Sequence, residues 1–125
     1  DISATAIAKA KAEFPDCEFA VGNVADIKAF TAFEAVLFAE ITWYILADLK
    51  QIFTDLITHF KGKYFIQNLT FYKGDNQKYG RDHFTSLEQF VQLCPFKLVE
   101  KMMIDNGDPN GTIETSAIFK IEPKA

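Results

Sequence analysis

The sequence predicts an α/β fold in which a mostly parallel sheet ends in an antiparallel hairpin. Short apolar runs alternate along the 125 residues with segments of helical periodicity. Such alternation is typical of parallel strands joined by right-handed crossovers. The last two apolar runs are separated by DNGDPNG (residues 105–111), which is dense in turn formers and indicates a hairpin. A chain of this length is expected to form one domain.

The chain opens on a predicted helix over residues 4–14. Ser3 is a good N-cap, because its hydroxyl can accept from the free amides of the first turn, and Pro15 ends the periodic segment. A parallel strand is expected before this helix, which otherwise has no strand from which to cross over. Only the last residues of that strand, Asp1 and Ile2, are present in the chain.

Two continuous apolar runs follow, CEFAVG (17–22) and FEAVLFA (33–39). Both are typical of strands buried on both faces of a parallel sheet, with residues 23–31 forming a loop or a helical turn between them. The next segment, residues 41–63, repeats large apolar residues at helical spacing. Gly62 is expected to end this helix in a left-handed conformation.

The second half of the chain alternates in the same way. Residues 63–71 (KYFIQNLTF) are a third predicted strand. Thr85-Ser86-Leu87-Glu88 matches a capping box, in which Glu88 reaches back to the amide of the cap, so a helix is expected over residues 86–94. Residues 96–104 and 112–121 are the two strands of the predicted hairpin.

Composition excludes several classes of function. A net charge of -4 and a pI near 5.1 argue against nucleic-acid binding, which requires clustered Lys and Arg. No stretch approaches the ~20 apolar residues of a membrane helix. Cys17 and Cys94 form neither a disulfide framework nor a CxxC pair, so both are expected to be buried or half-buried thiols in the cytoplasm. The 106–111 loop resembles the start of an EF-hand, but Pro109 interrupts it and Ala117 stands where a bidentate Glu is needed, so no metal is expected.

A polar or charged residue, next to an apolar one, lies at the end of three predicted strands. The three segments are Asp1-Ile2, Gly22-Asn23-Val24 and Phe38-Ala39-Glu40-Ile41. Ligands of open α/β sheets bind at this edge. A carboxylate at a strand end suits a ribose diol, because it can accept from two hydroxyl groups. An apolar residue beside an amide or an acid suits an adenine, which has flat faces and a polar rim.

Taken together, these stretches resemble the class I (Rossmann-like) S-adenosylmethionine-dependent methyltransferases. The resemblance rests on DIS (1–3), EFAVGNVADI (18–27) and FEAVLFAEITWYIL (33–46), and on the closing YFIQNLTF, FTSLEQF and IETSAIFKIEP segments. The AEITWYIL stretch is most similar to small-molecule N-methyltransferases of the nodulation and related groups. The resemblance covers essentially the whole chain and implies a three-layer sandwich.

The resemblance implies an adenosine site in the first part of the chain. Asp1 matches the acidic residue that binds the ribose hydroxyls, and Ile2 would pack on the adenine. Asn23 stands where the family usually has Asp, as the partner of the adenine amino group. Val24 would cover the other face of the adenine.

The same resemblance implies where the methyl group is transferred. Ala39 and Glu40 would line the methionine end of S-adenosylmethionine, and Glu40 would help to orient a cationic amine. No dedicated catalytic nucleophile is expected, since alignment of a sulfonium with its acceptor supplies much of the effect. The residues expected to bind the small-molecule acceptor are Trp43, Tyr44, Tyr72, Tyr79, Arg81 and His83.

The chain also departs from the family. The first strand and its glycine-rich loop have no counterpart, and no GxGxG occurs among the six glycines. Residues 1–125 are therefore expected to be part of one methyltransferase domain, truncated at the N-terminus. An unpaired strand edge invites self-association, so a homo-oligomer is also expected. Two other hypotheses stay open: a non-catalytic relative that serves as an oligomerising or interaction domain, and a nicotinamide-dependent oxidoreductase.

Overall fold

The computed structural model of the chain describes residues 1–124. It divides into two compact units, Asp1–Phe30 and Thr31–Ala125. The helices and strands follow one another as α1 (Ala4–Glu13), β1 (Ala35–Ala39), α2 (Leu49–His59), β2 (Tyr64–Tyr72), α3 (Leu87–Leu93), β3 (Phe96–Asp105) and β4 (Thr112–Pro123). Short 3-10 helical segments cover Val24–Phe30, Thr42–Tyr44, Leu46–Asp48 and Gly74–Asn76.

The first unit confirms the predicted helix and its cap. The Ser3 hydroxyl accepts from the amide of Ala6 at 3.1 Å, which satisfies one of the free donors of the first turn of α1. The helical turn expected over residues 23–31 is the 3-10 segment Val24–Phe30. The strand predicted over residues 17–22 is wrong. This segment is mostly exposed and pairs only through two hydrogen bonds to Asp1, too short a ladder for a strand.

The second unit is built on a four-stranded sheet of order β1-β2-β4-β3. β1 and β2 are parallel, whereas β4 is antiparallel to both β2 and β3. Three of the four strands run in the same direction, as the prediction of a mostly parallel sheet requires, but the antiparallel strand β4 lies inside the sheet, so its predicted position at the edge is wrong. The hairpin itself is confirmed. Its second strand, β4, lies between β2 and β3 because it pairs with β2 over the full length of that strand, from Tyr64 opposite Lys120 to Tyr72 opposite Thr112.

Helices α2 and α3 pack on the same face of this sheet. Phe65 of β2 and Phe119 of β4 are opposite each other and stack with ring centroids 5.8 Å apart. Phe53 of α2 contacts Phe65, and Phe90 of α3 contacts Phe119, both edge to face. The second unit by itself therefore has two layers, and the three-layer sandwich stays a prediction.

The strand β1 is less buried than its sequence predicts. An apolar run such as AVLFA is typical of a strand covered on both faces. In the structure Phe38 is buried against Phe65, while Leu37 points away from it and is exposed. Among the described residues β1 pairs with β2 alone, so it is an edge strand rather than a central one.

The two predicted helix ends of the second unit are also found, one of them shifted. Gly62 has a φ of +82°, the left-handed conformation expected after α2. The cap of α3 is Ser86, whose hydroxyl accepts from Gln89, and the Gln89 side chain accepts in turn from the amide of Thr85. The capping box is thus displaced by one residue, and Glu88 instead forms an ion pair with Lys101.

Neither cysteine is paired, but the two differ in exposure. Cys94 is buried, as expected, whereas the prediction of a buried or half-buried Cys17 is wrong because this thiol is exposed. Burial raises the pKa of the Cys94 thiol to about 12. No helix within residues 1–124 is both long and apolar enough to span a membrane.

Gly80 is held against a tryptophan, and this close approach leads to a first prediction. A Cβ at Gly80 would lie 2.6 Å from Trp43 Cζ3, and the residue has a φ of +71°. Gly80→Ala is therefore expected to cost about 1–2 kcal/mol for the left-handed backbone and a further ~1–3 kcal/mol for overpacking. Thermal or urea unfolding measures the loss.

Gly74→Ala is the matched control. Gly74 also has a positive φ, of +53°, but a Cβ there meets nothing within 4 Å. Gly74→Ala should therefore lose only the ~1–2 kcal/mol of unfolding free energy that the left-handed backbone costs. Equal destabilisation of the two variants would contradict the packing of Gly80 on Trp43.

The difference between the thiols gives a second prediction. At pH 8 a thiol-specific chromogenic reagent should react quickly with Cys17, because only the thiolate is nucleophilic and only this thiol is accessible. Cys94 should react only after the protein is unfolded. Cys17→Ser should abolish the fast phase, whereas Cys94→Ser should keep it. A second fast thiol in the native protein would disprove the buried position of Cys94.

Candidate functional site

In the first unit, Asp1 lies beside the turn at Gly22. The amino group of Asp1 donates to the carbonyl of Ala20 at 3.3 Å, and the carbonyl of Asp1 accepts from the amide of Gly22 at 2.9 Å. These two bonds flank Val21 in the pattern of a parallel ladder. The Asp1 side chain accepts from the amide of Ser3 through Oδ1 at 2.7 Å, so its orientation is fixed at the start of α1 while Oδ2 takes no part in that bond.

Asn23 is held in place by its own local turn. Its Oδ1 accepts from the amide of Ala25 at 2.7 Å, and its amide donates to Oδ2 of Asp26 at 3.0 Å. A carbonyl oxygen has two lone pairs, so Oδ1 keeps the capacity for one further donor. Asp26 was not predicted from the sequence, although an Asn followed three residues later by an acid is the spacing of a capping pair.

The adjoining apolar residues of the first unit differ in exposure. Ile2 is 77% exposed and Val24 is half-buried. Both are therefore available to a planar ligand, and both lie next to a polar residue that the local hydrogen bonds hold in position. Asp1 and Asn23, the two predicted polar contacts of the adenosine, belong to segments whose main chains pair with each other.

In the second unit, Glu40 directly follows β1 and has an unusual conformation. It has a φ of +58°, and its amide donates to the carbonyl of Asn68 at 2.9 Å. Its carboxylate then turns onto β2, where Oε2 accepts from the amide of Thr70 at 3.0 Å and Oε1 from the Thr70 hydroxyl at 2.9 Å. The side chain thus replaces the next ladder bond that a longer β1 would have made. Ala39, just before it, is exposed.

A second carboxylate approaches the same hydroxyl. Glu114 Oε2 lies 2.6 Å from Thr70 Oγ1. A threonine hydroxyl has one proton to donate, so it serves one of these two carboxylates at a time. Glu40 and Glu114 therefore concentrate negative charge at the carboxyl end of β2. Neither Thr70 nor Glu114 was predicted as part of the site, since their proximity depends on the pairing of β2 with β4.

The residues that follow Glu40 return to the core. Thr42 is buried and donates from Oγ1 to Oε1 of Gln67 at 2.7 Å, while Nε2 of Gln67 is buried without a hydrogen-bond partner in residues 1–124. Trp43 was predicted at the start of a long helix and lies instead in the 3-10 segment Thr42–Tyr44. Its Nε1 donates to the carbonyl of Thr70 at 3.0 Å, and its ring lies 5.1 Å from that of Phe84.

Two of the predicted acceptor-binding residues, Tyr72 and Arg81, line one cleft. The cleft has a volume of about 450 Å³. Its apolar lining residues are Phe71, Leu87, Met103 and Ile113, and its charged ones are Lys73, Asp75, Arg81 and Glu88. The buried Gln77 links the two ends of the loop after β2, because its side chain accepts from the amide of Tyr72 and donates to the carbonyl of Tyr79.

The charges around this cleft are largely paired with one another. Lys73 donates to Oδ1 of Asp105 and to the carbonyl of Asp108, and it holds the pKa of Asp105 below the usual carboxyl value of 3.8. Arg81 lies 3.7 Å from Asp75, donates to the carbonyl of Gln77 at 3.3 Å, and has a side chain that is 53% exposed. Arg81 thus has most of its five donors available.

The other predicted acceptor-binding residues lie elsewhere in the second unit. Tyr44 is 86% exposed, and Tyr79 is exposed in the loop after β2. His83 lies in a separate, shallower groove beside α2, together with Lys50 and Phe53. Its Nδ1 is 3.1 Å from Asp82, and this hydrogen bond lowers the pKa of the Asp82 carboxyl. The structure therefore does not bring His83 to the cleft that Tyr72 and Arg81 share.

The order and pairing of these elements define the class of fold. The second unit has an α/β fold with a mixed sheet, in which a parallel β1-β2 pair is followed by an antiparallel strand inserted beside β2. No protein-family model and no curated protein matches the chain.

One solved structure supports this assignment. The chain is similar to the crystal structure of the N-methyltransferase NodS from Bradyrhizobium japonicum WM9, with a TM-score of 0.64 and 12% identity over 99% of this chain and 71% of that chain. At this identity the likeness shows the fold alone. It confirms the methyltransferase fold that the sequence predicted, and the individual site residues stay predictions.

The buried Thr42–Gln67 pair leads to a third prediction. Thr42→Val removes the donor to Gln67 and leaves both polar atoms of a buried amide without partners, which should cost about 1–3 kcal/mol in chemical unfolding. Thr42→Ser keeps the hydroxyl and should lose much less. The double variant Thr42→Val/Gln67→Leu should recover most of the loss. Additive losses in the double variant would contradict the pairing.

Proposed function

We propose that this chain is the C-terminal part of the catalytic domain of an S-adenosylmethionine-dependent methyltransferase that acts on a small-molecule acceptor, with an amine as the preferred class. The observation that carries this proposal is the pairing of Asp1 with the Gly22 turn. Because this pairing brings the Asp1 carboxylate and the Asn23 side-chain amide to the same edge of the first unit, it supports the binding of one ligand by both. The methyltransferase fold supports the same assignment.

The residues of the first unit suit an adenosine. The carboxylate of Asp1 keeps Oδ2 for the ribose hydroxyls while Oδ1 is held by Ser3. Asn23 Oδ1 keeps a lone pair for the adenine amino group. Ile2 and Val24 offer the apolar surface that flat rings require. Charge-assisted hydrogen bonds of this kind are stronger than neutral ones, so the Asp1 contact should dominate the polar recognition.

The residues of the second unit suit the transferring end and the acceptor. S-Adenosylmethionine supplies an activated methyl group on a sulfonium. Glu40, with Glu114 close to it, supplies the negative charge that attracts a protonated amine to the carboxyl end of β2. The amine must then lose this proton to solvent, because only the neutral nitrogen has the lone pair that attacks the methyl group. Ala39 leaves space beside Glu40. We assign acceptor contacts to the cleft of Tyr72 and Arg81, with Trp43, Tyr44, Tyr79 and His83 as the further candidates from the sequence.

Calorimetric titration of the chain with S-adenosylhomocysteine and, separately, with NAD tests the proposal. Binding of the first ligand alone is expected. Asp1→Asn keeps the acceptor for the Ser3 amide but loses the charge toward the ribose. The loss of a charge-assisted bond of about 1.5–3 kcal/mol should weaken the Kd by roughly ten- to a hundredfold.

The control is Asp16→Asn, which removes an exposed carboxylate of the same unit that the proposal does not use. Its Kd should equal that of the unchanged protein. Binding of NAD in place of S-adenosylhomocysteine would favour an oxidoreductase. No heat with either ligand would favour a non-catalytic relative that acts as an oligomerising or interaction domain.

A further inference from the structure

The strand β3 has one free edge. It covers Phe96–Asp105 and, within residues 1–124, pairs with β4 only. Its outer N–H and C=O groups therefore face away from the sheet. Such an edge is a template for another strand, and natural proteins usually protect it with bulges, prolines or inward charges.

Only the first half of β3 has irregularities that would hinder the addition of another strand. Irregularities in its pairing with β4 lie between Phe96 and Lys97 and between Leu98 and Glu100. From Glu100 to Asp105 the register is regular, and this half contains no proline or glycine. Only this second half is therefore straight enough to accept a partner strand.

The regular half exposes apolar side chains on both faces. Met102 and Ile104 are each 58% exposed on one face, and Met103 is 49% exposed on the face that carries α3. On the face of Met103, two residues of opposite charge, Lys101 and Asp105, lie on either side of it. Lys101 has a side-chain exposure of 40% and Asp105 of 47%, so both can accept a further partner beside Glu88 and Lys73.

Symmetry restricts how this strand can pair with its own copy. A two-fold axis normal to the sheet makes the two strands antiparallel and keeps every side chain on its own face, so only residues of the same parity can lie opposite each other. With Met103 on the axis, Lys101 faces Asp105 of the second copy twice, and Met102 faces Ile104. Moving the axis to Met102 replaces both charge pairs by Lys101 opposite Met103. Moving it to Lys101 places two lysines face to face.

We propose that β3 pairs with β3 of a second copy of this chain through Lys101–Asp105, with Met103 on the two-fold axis. The two sheets join into one continuous sheet across the dyad. The Lys101–Asp105 charge pairs select this register, and the Met102–Ile104 pairs remove exposed apolar surface from water. The contact is short compared with the ~1,600 Å² of a standard interface, so the dimer is weak and concentration-dependent.

A charge-swap experiment tests the register directly. In sedimentation equilibrium over a concentration series, the unchanged chain should show a monomer–dimer equilibrium. Lys101→Glu alone and Asp105→Lys alone each create two like-charge pairs, and each should weaken the dimer at least tenfold. An equimolar mixture of the two variants restores two opposite-charge pairs in the heterodimer and should return the dissociation constant close to that of the unchanged chain.

A disulfide scan gives a second measurement that does not depend on charge. Opposed Cα atoms of antiparallel strands are about 4.5–5.5 Å apart, within the range that a disulfide spans. In a Cys17→Ser background, Met103→Cys should form a cross-linked dimer under mild oxidation. Val99→Cys is the control, because Val99 is similarly exposed, at 56%, but lies in the irregular half of the strand.

Three results would overturn the proposal: a chain that is monomeric at every concentration, a mixture of charge variants that fails to recover, or cross-linking that is equal at the two cysteine positions. Growth into open aggregates in place of a dimer would overturn it as well. None of these measurements requires S-adenosylmethionine, so the outcome is separate from that of the ligand titration.

Discussion

The structure of the second unit depends on the antiparallel ladder between β2 and β4. These two strands are flanked on both sides by other strands, and they pair along the whole of β2. Every other element of the unit attaches to this ladder. β1 and β3 extend it on either side, and α2 and α3 cover its buried face. β4 follows β3 in the sequence but lies between β2 and β3, so the chain returns to the middle of the sheet after the hairpin turn.

The face covered by the helices is filled mainly with phenylalanine. Phe65 lies at its centre and contacts rings from a neighbouring strand, from α2 and from β3, mostly edge to face. Aromatic side chains bury a large area and prefer this geometry, which adds about 0.5–1.5 kcal/mol per pair beyond the burial itself. The few buried hydroxyl groups in this layer are hydrogen-bonded, Thr42 to the Gln67 side chain and Thr115 to the Leu69 carbonyl. An aromatic core of this kind explains how a short sheet covered on one face by short helices can bury enough surface.

At the carboxyl end of the sheet, two side chains make hydrogen bonds to the main chain of β2 that a neighbouring strand would otherwise make. β1 ends at Ala39, and the Glu40 carboxylate accepts from Thr70 where a further main-chain carbonyl would have done so. A carboxylate in that position keeps the β2 amide satisfied and brings charge to the edge where ligands of α/β folds bind. The Trp43 indole likewise takes the place of a main-chain donor, since its Nε1 donates to the Thr70 carbonyl. The carboxyl end of β1 and β2 is therefore acidic.

The sequence by itself determined the cap of α1, the end of α2 and the hairpin, because caps, periodicity and turn residues act within a few residues of the chain, whereas the methyltransferase fold was predicted from a family resemblance. Ser3, Gly62 and the DNGDPNG turn have the roles that their chemistry predicts. Only the tertiary structure decided the strand order, the exposure of β1 and of residues 17–22, the meeting of Glu40 with Glu114, and the separation of His83 from Arg81. An apolar run has the same sequence pattern in the centre of a sheet and at its edge. Its burial depends on which distant strands pair with it, and this depends on long-range packing rather than on local chemistry.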